Sequence, residues 1–245
     1  MNLILTSATY IGETFTDSGL RFMNLSIPAN GKNPAVPLTV VPNKAAGDSI
    51  DAFVPGCQLL VGGRLYPNRN DYKMYVVPTQ PLQVIPKETS INQVNLAGGV
   101  GYIAEQKLEE LFNFSLMCKA PSQQLLGHSW QDSMGFRMEA WGDDAKRLGS
   151  LLYVGRQMSV TGSLRYNTWK TQDGSQRATY QVRVRAGQYS VFGKNQPKDG
   201  VEAPQKGVET KAAPARPMPP LQQDPVGIGG ATWEAGEPAG DYIPF

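Results

Sequence analysis

Apolar side chains in the first 193 residues come in short runs, rich in β-branched and aromatic types, separated by Gly, Pro and Asn. That spacing predicts strands joined by turns. Within the runs apolar and polar residues alternate with a period of two, so each run divides into two faces. In the run 136–141, Phe136, Met138 and Ala140 share one face, and Arg137, Glu139 and Trp141 share the other. In the run 158–165, Met158, Val160, Gly162 and Leu164 are expected inward, with Ser159, Thr161, Ser163 and Arg165 outward. In the run 180–185, Tyr180, Val182 and Val184 are expected inward, opposite Gln181, Arg183 and Arg185. Residues 166–177 lie between the last two runs and read as a β-hairpin with Asp173-Gly174 at its tip. The hairpin carries Trp169, Lys170 and Arg177.

Helical periodicity is confined to two stretches, residues 43–53 and 143–152, each in the middle of one half of the strand-rich region. Five strands with one helix after the third is the order of an OB-fold barrel. The halves also resemble each other. Residues 56–65, GCQLLVGGRL, align with residues 155–164, GRQMSVTGSL, with Gly, Gln, Val, Gly and Leu in register. Near the two starts, Leu3 and Leu5 are expected to correspond to Val94 and Leu96. The fold class expected is therefore all-β, with two tandem OB-fold barrels at 1–86 and 91–193, joined near 86–90. From residue 194 Pro, Gly, Ala, Gln and Lys dominate and the apolar periodicity stops. Too little apolar surface is available there to offset an ordering entropy of roughly 1–2 kcal/mol per residue. Residues 194–240 are expected to be a disordered linker, and 241–245 an apolar tip with a free carboxylate.

Composition narrows the chemistry more than the partner. The chain has 245 residues and a formal charge of +2, too mild by itself to identify a nucleic-acid ligand. The basic surplus falls in residues 87–193, with twelve basic against nine acidic side chains. No run approaches the roughly 18 apolar residues of a membrane span, and the start lacks a secretory layout, so a cytoplasmic, nucleoid-associated protein is expected. His128 stands alone, and Cys57 and Cys118 are far apart, so neither a histidine metal site nor a CxxC pair can form. Asp143-Asp144 opens a helical stretch, where carboxylates complement the helix dipole. No phosphate-binding Gly-x-x-x-x-Gly-Lys occurs. No enzyme, cofactor or metal is expected.

Single-stranded nucleic acid presents flat bases and a charged backbone. A protein that holds it without reading sequence needs aromatic platforms interleaved with cations on one face. The outward set of the second half meets that need with Trp141, Trp169, Arg137, Arg165, Lys170, Arg177 and Arg183. The same stretch resembles the bacterial single-stranded DNA-binding protein family. The matching residues are the opening 91–98, Ala140-Trp141-Gly142, Ala145 of the helix, the run 155–165, Trp169, Asp173-Gly174 and Arg177. The resemblance covers about residues 91–193 and implies base stacking on Trp141 and Trp169. It also implies that Asp241, Tyr242, Ile243, Pro244 and Phe245 recruit replication and repair proteins, through a terminal phenylalanine and its carboxylate. Asp241 stands without the run of aspartates usual in the family.

The first half departs further. It has no tryptophan and a short hairpin at 66–71, leaving Phe22, Tyr66, Tyr72 and Tyr75 as candidate stacking groups. Two OB-folds per chain resembles the Thermus–Deinococcus branch of the family and implies a homodimer with four barrels. The alternative class is an OB module that binds RNA or a protein partner. An OB-containing nuclease would need clustered carboxylates or histidines, which the sequence lacks.

Overall fold

A computed structural model describes residues 1–16, 19–47, 51–68, 73–105, 108–119, 124–125, 128–129, 133–171 and 174–193. The first barrel is built from β1 (Asn2–Phe15), β2 (Arg21–Ile27), β3 (Val36–Val40), β4 (Gln58–Pro67) and β5 (Met74–Pro78), with a short β6 (Gln83–Val84) beside β4. Strands β1, β2 and β3 pair antiparallel in sequence order, β3 meets β5 in parallel, and β5–β4–β1 closes the ring. The second barrel repeats that circuit with β7 (Asn92–Ile103), β8 (Leu111–Lys119), β11 (Ser133–Trp141), β12 (Gln157–Lys170) and β13 (Gln176–Val191). Its β8–β11 connection carries a two-residue pair, β9 (Gln124–Leu125) and β10 (His128–Ser129). The backbone of His128, expected in a loop, therefore lies in a short strand.

Alternation inside the closed ring produces the core. Val94, Leu96, Phe114, Leu116, Phe136, Met138, Met158, Val160, Leu164 and Val182 are all buried, as are Ile4, Leu25, Val40, Val61, Leu65 and Val76 in the first barrel. Phe136, Met138, Ala140, Met158, Val160, Gly162 and Leu164 point inward as their period requires. Helix α1 (Asp143–Leu151) follows the third strand of the second barrel and buries Ala145 and Leu148. Gly142 turns the chain out of β11 at φ +61°, a conformation that favours glycine, and Asp143 and Asp144 sit in the first turn. At 43–53, where the counterpart is expected, the described residues hold a 3-10 turn, Lys44–Ala46, which the Asn43 side chain caps and Gly47 ends at φ +88°, and 3-10 geometry again at 51–52.

The repeat is real, but its opening register is one residue away from the expected one. Ile4 lies opposite Gly63 in β4, and Val94 lies opposite the equivalent Gly162 in β12. Ile4 and Thr6 therefore match Val94 and Leu96, and Leu3 and Leu5 do not. A slip of one residue moves a side chain to the other face. Ile4 and Thr6 are accordingly buried, whereas Leu3 and Leu5 are half-buried on the outer side. The first strands of the two barrels also pair antiparallel with each other, from Asn2 opposite Leu96 to Thr6 opposite Asn92. Ile4 faces Val94 at the centre of that seam, so equivalent residues meet across a local two-fold. Asn2 Nδ2 donates to the Leu65 carbonyl at 2.9 Å, and Asn92 Nδ2 donates to the equivalent Leu164 carbonyl at 2.8 Å.

Gly63 and Gly162 mark equivalent close approaches of two strands. A Cβ on Gly162 would lie 2.5 Å from the Arg183 carbonyl oxygen, and one on Gly63 would lie 2.5 Å from that of Val77. Gly162→Ala is expected to destabilise the protein by about 1–3 kcal/mol, the usual cost of overpacking. Thermal unfolding followed by circular dichroism checks this, and an unchanged midpoint would mean that the sheet yields at this point.

Candidate nucleic-acid interface

The outward positions of β11, β13 and β12 form one surface because the register lines them up. Parallel pairing sets Glu139 beside Arg183, and antiparallel pairing sets Arg183 beside Ser163. One step along, Arg137, Gln181 and Arg165 form the next row. In the other direction Trp141 comes level with Arg185. Towards the hairpin, Trp169 pairs with Arg177. Alternation puts Trp169 and Arg177 on the same side as Arg165 and Gln181, with Lys170 on the reverse side. Trp141 and Trp169 thus mark opposite ends of the face. The eight residue steps from Arg177 to Arg185 separate the ends by roughly 27 Å at about 3.4 Å per step.

Trp141 ends β11 with 44 % of its surface exposed, while Trp169 is half-buried on the hairpin. Arg137, Arg165 and Arg183 are half-buried, and Lys170 and Arg177 are exposed. The residues named from the sequence in this barrel therefore share one face, except Lys170. Residues 241–245 lie outside the described residues.

Contacts within the face show what each group is free to do. The Arg183 guanidinium carbon lies 5.3 Å from the Trp141 ring centroid, a cation–π distance. Arg183 Nε donates to Glu139 Oε1 at 2.6 Å. Glu139 is thereby buried to 6 % although it points outward. One arginine is held between a carboxylate and an indole, which fixes the ring and leaves the rest of the guanidinium fork beside it. Arg165 contrasts with it. Its Nε is buried and finds no hydrogen-bond acceptor among the described residues. Burial, and then the neighbouring Arg183 charge, push the Arg165 guanidinium below its ordinary pKa, while Glu139 pulls it back up. An arginine stays charged at neutral pH, so this is a cation short of an anion.

Arg185, which the alternation placed outward, completes the group. Its Nη2 donates to the Asn92 carbonyl at 3.0 Å, tying the face to the start of β7. Five arginines, Arg137, Arg165, Arg177, Arg183 and Arg185, thus share the face with one carboxylate among the described residues, Glu139. The sequence signals the arginines by their period. It carries no sign that Glu139 holds Arg183 against Trp141, because that contact joins residues 44 positions apart in different strands.

Glu139→Ala would leave the arginines without their counter-ion. The free protein is expected to lose about 1–2 kcal/mol, less than a fully buried pair would, because the Arg183 side chain is 39 % exposed. The loss should shrink as salt screens the repulsion. Urea unfolding at low and high ionic strength checks this, and an identical midpoint for mutant and wild type at low salt would refute the counter-ion role.

Comparison with known proteins agrees with this geometry. Residues 91–190 match the single-strand binding protein family. Among solved structures, the wild-type single-stranded DNA binding protein from Thermus aquaticus superposes with a TM-score of 0.51 at 16 % identity, over 82 % of this chain and 97 % of that one. A deletion mutant of the same Thermus aquaticus protein gives 0.52 at 16 % identity, over 82 % and 98 %. At that identity the likeness is one of fold, the tandem OB-fold. No curated protein matches the chain. The matched residues 91–190 are those of the second barrel, which carries the arginine-rich outer face between two tryptophans.

Proposed function

We propose that this protein binds and protects single-stranded DNA without reading its sequence, in replication, recombination and repair. The observation that carries the proposal is the outward face of the second barrel. Trp141 and Trp169 stand at its two ends, and Arg165, with an unmatched buried Nε, lies between them. Bases stack on the two indoles, and the backbone passes over Arg137, Arg165, Arg183 and Arg177. Lys170, on the reverse of the hairpin, meets strand that leaves the face. Glu139 keeps Arg183 stacked on Trp141, so the ring is held in place before the base arrives.

Stacking is worth about 1–3 kcal/mol per base. Trp169→Ala and Trp141→Ala are therefore each expected to weaken oligo-dT binding by about 5–150-fold. Logarithmic affinity should fall with logarithmic salt by about 0.7 for each phosphate held. Fluorescence titration with oligo-dT reads both. Absent quenching in the wild type, or an unchanged affinity in Trp169→Ala, would refute the proposed surface. An RNA oligomer in the same titration tests the alternative ligand, and equal affinity would favour a general nucleic-acid module.

We propose a division of labour in which residues 1–86 and 91–193 are the two barrels, 194–240 a linker, and Asp241, Tyr242, Ile243, Pro244 and Phe245 a recruiting tip. The resemblance of the Ile-Pro-Phe ending to the family pattern supports this. Deleting residues 241–245 should leave oligo-dT affinity within twofold and abolish binding of replication or repair partners. A lost DNA affinity would contradict the division.

We also propose a homodimer with four OB-folds. Leu3 and Leu5, half-buried on the outer side of the β1–β7 seam, offer the apolar strip that a second copy would cover. A two-fold interface uses the same patch on both subunits. Sedimentation equilibrium should return twice the chain mass of 26.7 kDa, and a single-chain mass at micromolar concentration would count against the dimer.

A further inference from the structure

The strand pairings give each outward position of the second barrel an equivalent in the first. Val40 pairs with Val76 as Met138 pairs with Val182, and Leu65 lies opposite Val76 as Leu164 lies opposite Val182. One step along each strand, Arg165 therefore corresponds to Tyr66 and Gln181 to Tyr75. Arg183 corresponds to Val77, and Glu139 to Val41. The face that carries cations in one barrel carries aromatic and aliphatic side chains in the other.

Those side chains are also covered. Tyr66 is 1 % exposed and Tyr75 6 %, and Val41 and Val77 are buried too. Tyr75 packs against Phe22 at a tilt of 58°, with ring centroids 5.8 Å apart. The place of Trp141 is taken by Asn43, whose amide is committed at both ends: Nδ2 donates to the Pro78 carbonyl, and Oδ1 accepts from the Ala46 N–H. Gln80 lies over Gly62, the counterpart of Thr161. A base needs an open ring face and a phosphate needs an accessible cation. Of the described positions on this face, the exposed cations are Arg64 and, at its edge, Lys73. The exposed aromatic Phe15 lies instead at the end of β1, level with Arg21. Arg21 is paired with both Glu13 and Asp51, so carboxylates outnumber the cation there.

We infer that each chain holds single-stranded nucleic acid on its second barrel alone, and that the first barrel is a closed scaffold for it. This rests on the proposed function. The scaffold acts through two contacts. The β1–β7 seam joins the sheets. Tyr180 Oη, on the hairpin that carries Trp169, donates to the Pro37 carbonyl of β3 at 2.9 Å. The first barrel thus braces the hairpin that presents an indole without touching the ligand through its own sheet.

Cross-linking of the full chain with 5-iodouracil-substituted oligo-dT, followed by peptide mapping, tests the inference alongside titration of Arg64→Glu. Cross-links confined to residues 92–193 are expected, with Arg64→Glu within threefold of wild type. The footprint should be about 4–16 nucleotides per chain, that of one OB-fold. Cross-links on β3, β4 or β5, or a loss of more than threefold in Arg64→Glu, would overturn the inference while leaving the proposed function standing. A wild-type chain that fails to bind oligo-dT at all would overturn the proposed function, and the inference with it.

Discussion

Closure of a five-stranded ring is the constraint on which everything else depends. Once β12 pairs with both β13 and β7, no strand of the second barrel has a free choice of face. Every side chain points into a space filled by its neighbours or out to solvent, and the choice alternates with each residue. Met158, Val160 and Leu164 fill the interior, and that packing commits Ser159, Thr161, Ser163 and Arg165 to the outside. The close approach at Gly162 is part of the same closure, since a Cβ there would meet the opposite strand's carbonyl. The arginine-rich face is the other side of the core's packing.

Placing five arginines on one face has an electrostatic cost, which the chain meets only in part. Glu139 neutralises Arg183, and Trp141 takes up the flat side of the same guanidinium. Arg165 receives no such partner and is partly desolvated by its neighbours. The apo surface thus keeps a local excess of positive charge and an unmatched donor. An anionic backbone relieves both at once. An array neutralised by more carboxylates would be more comfortable unliganded, and would gain less on binding.

The two barrels show how one circuit supports different surfaces. Their pairings agree strand for strand, including a glycine at a close approach and an asparagine reaching to the fourth strand. Inward positions are mostly apolar in both, because each ring encloses a core shielded from water. Outward positions are under no such demand. In the second barrel they are cationic and half-open, and in the first they form a buried layer containing Tyr66 and Tyr75. Pairing through β1 and β7 then makes a single compact unit of the two.

Much of this was legible before any coordinates. Alternation identified the strands and the inward sets 136–140 and 158–164, and the order of elements identified the barrel. The repeat 56–65 and 155–164 located the fourth strands, and the residues of one barrel that face outward followed from their period. Those properties are local, since a strand's two faces are written in consecutive residues. The opening register was misread by one residue, because Leu3 and Ile4 are both apolar and only the partner strand tells them apart. At 43–53, where a helix is expected, the described residues hold short 3-10 turns, the first of them closed by Asn43 and Gly47. That Tyr66 and Tyr75 are buried, that Lys170 turns away from Trp169, and that Glu139 clamps Arg183 onto Trp141 were decided by the tertiary structure alone. Each depends on which strands become neighbours, and closing a ring brings together residues that are far apart in sequence.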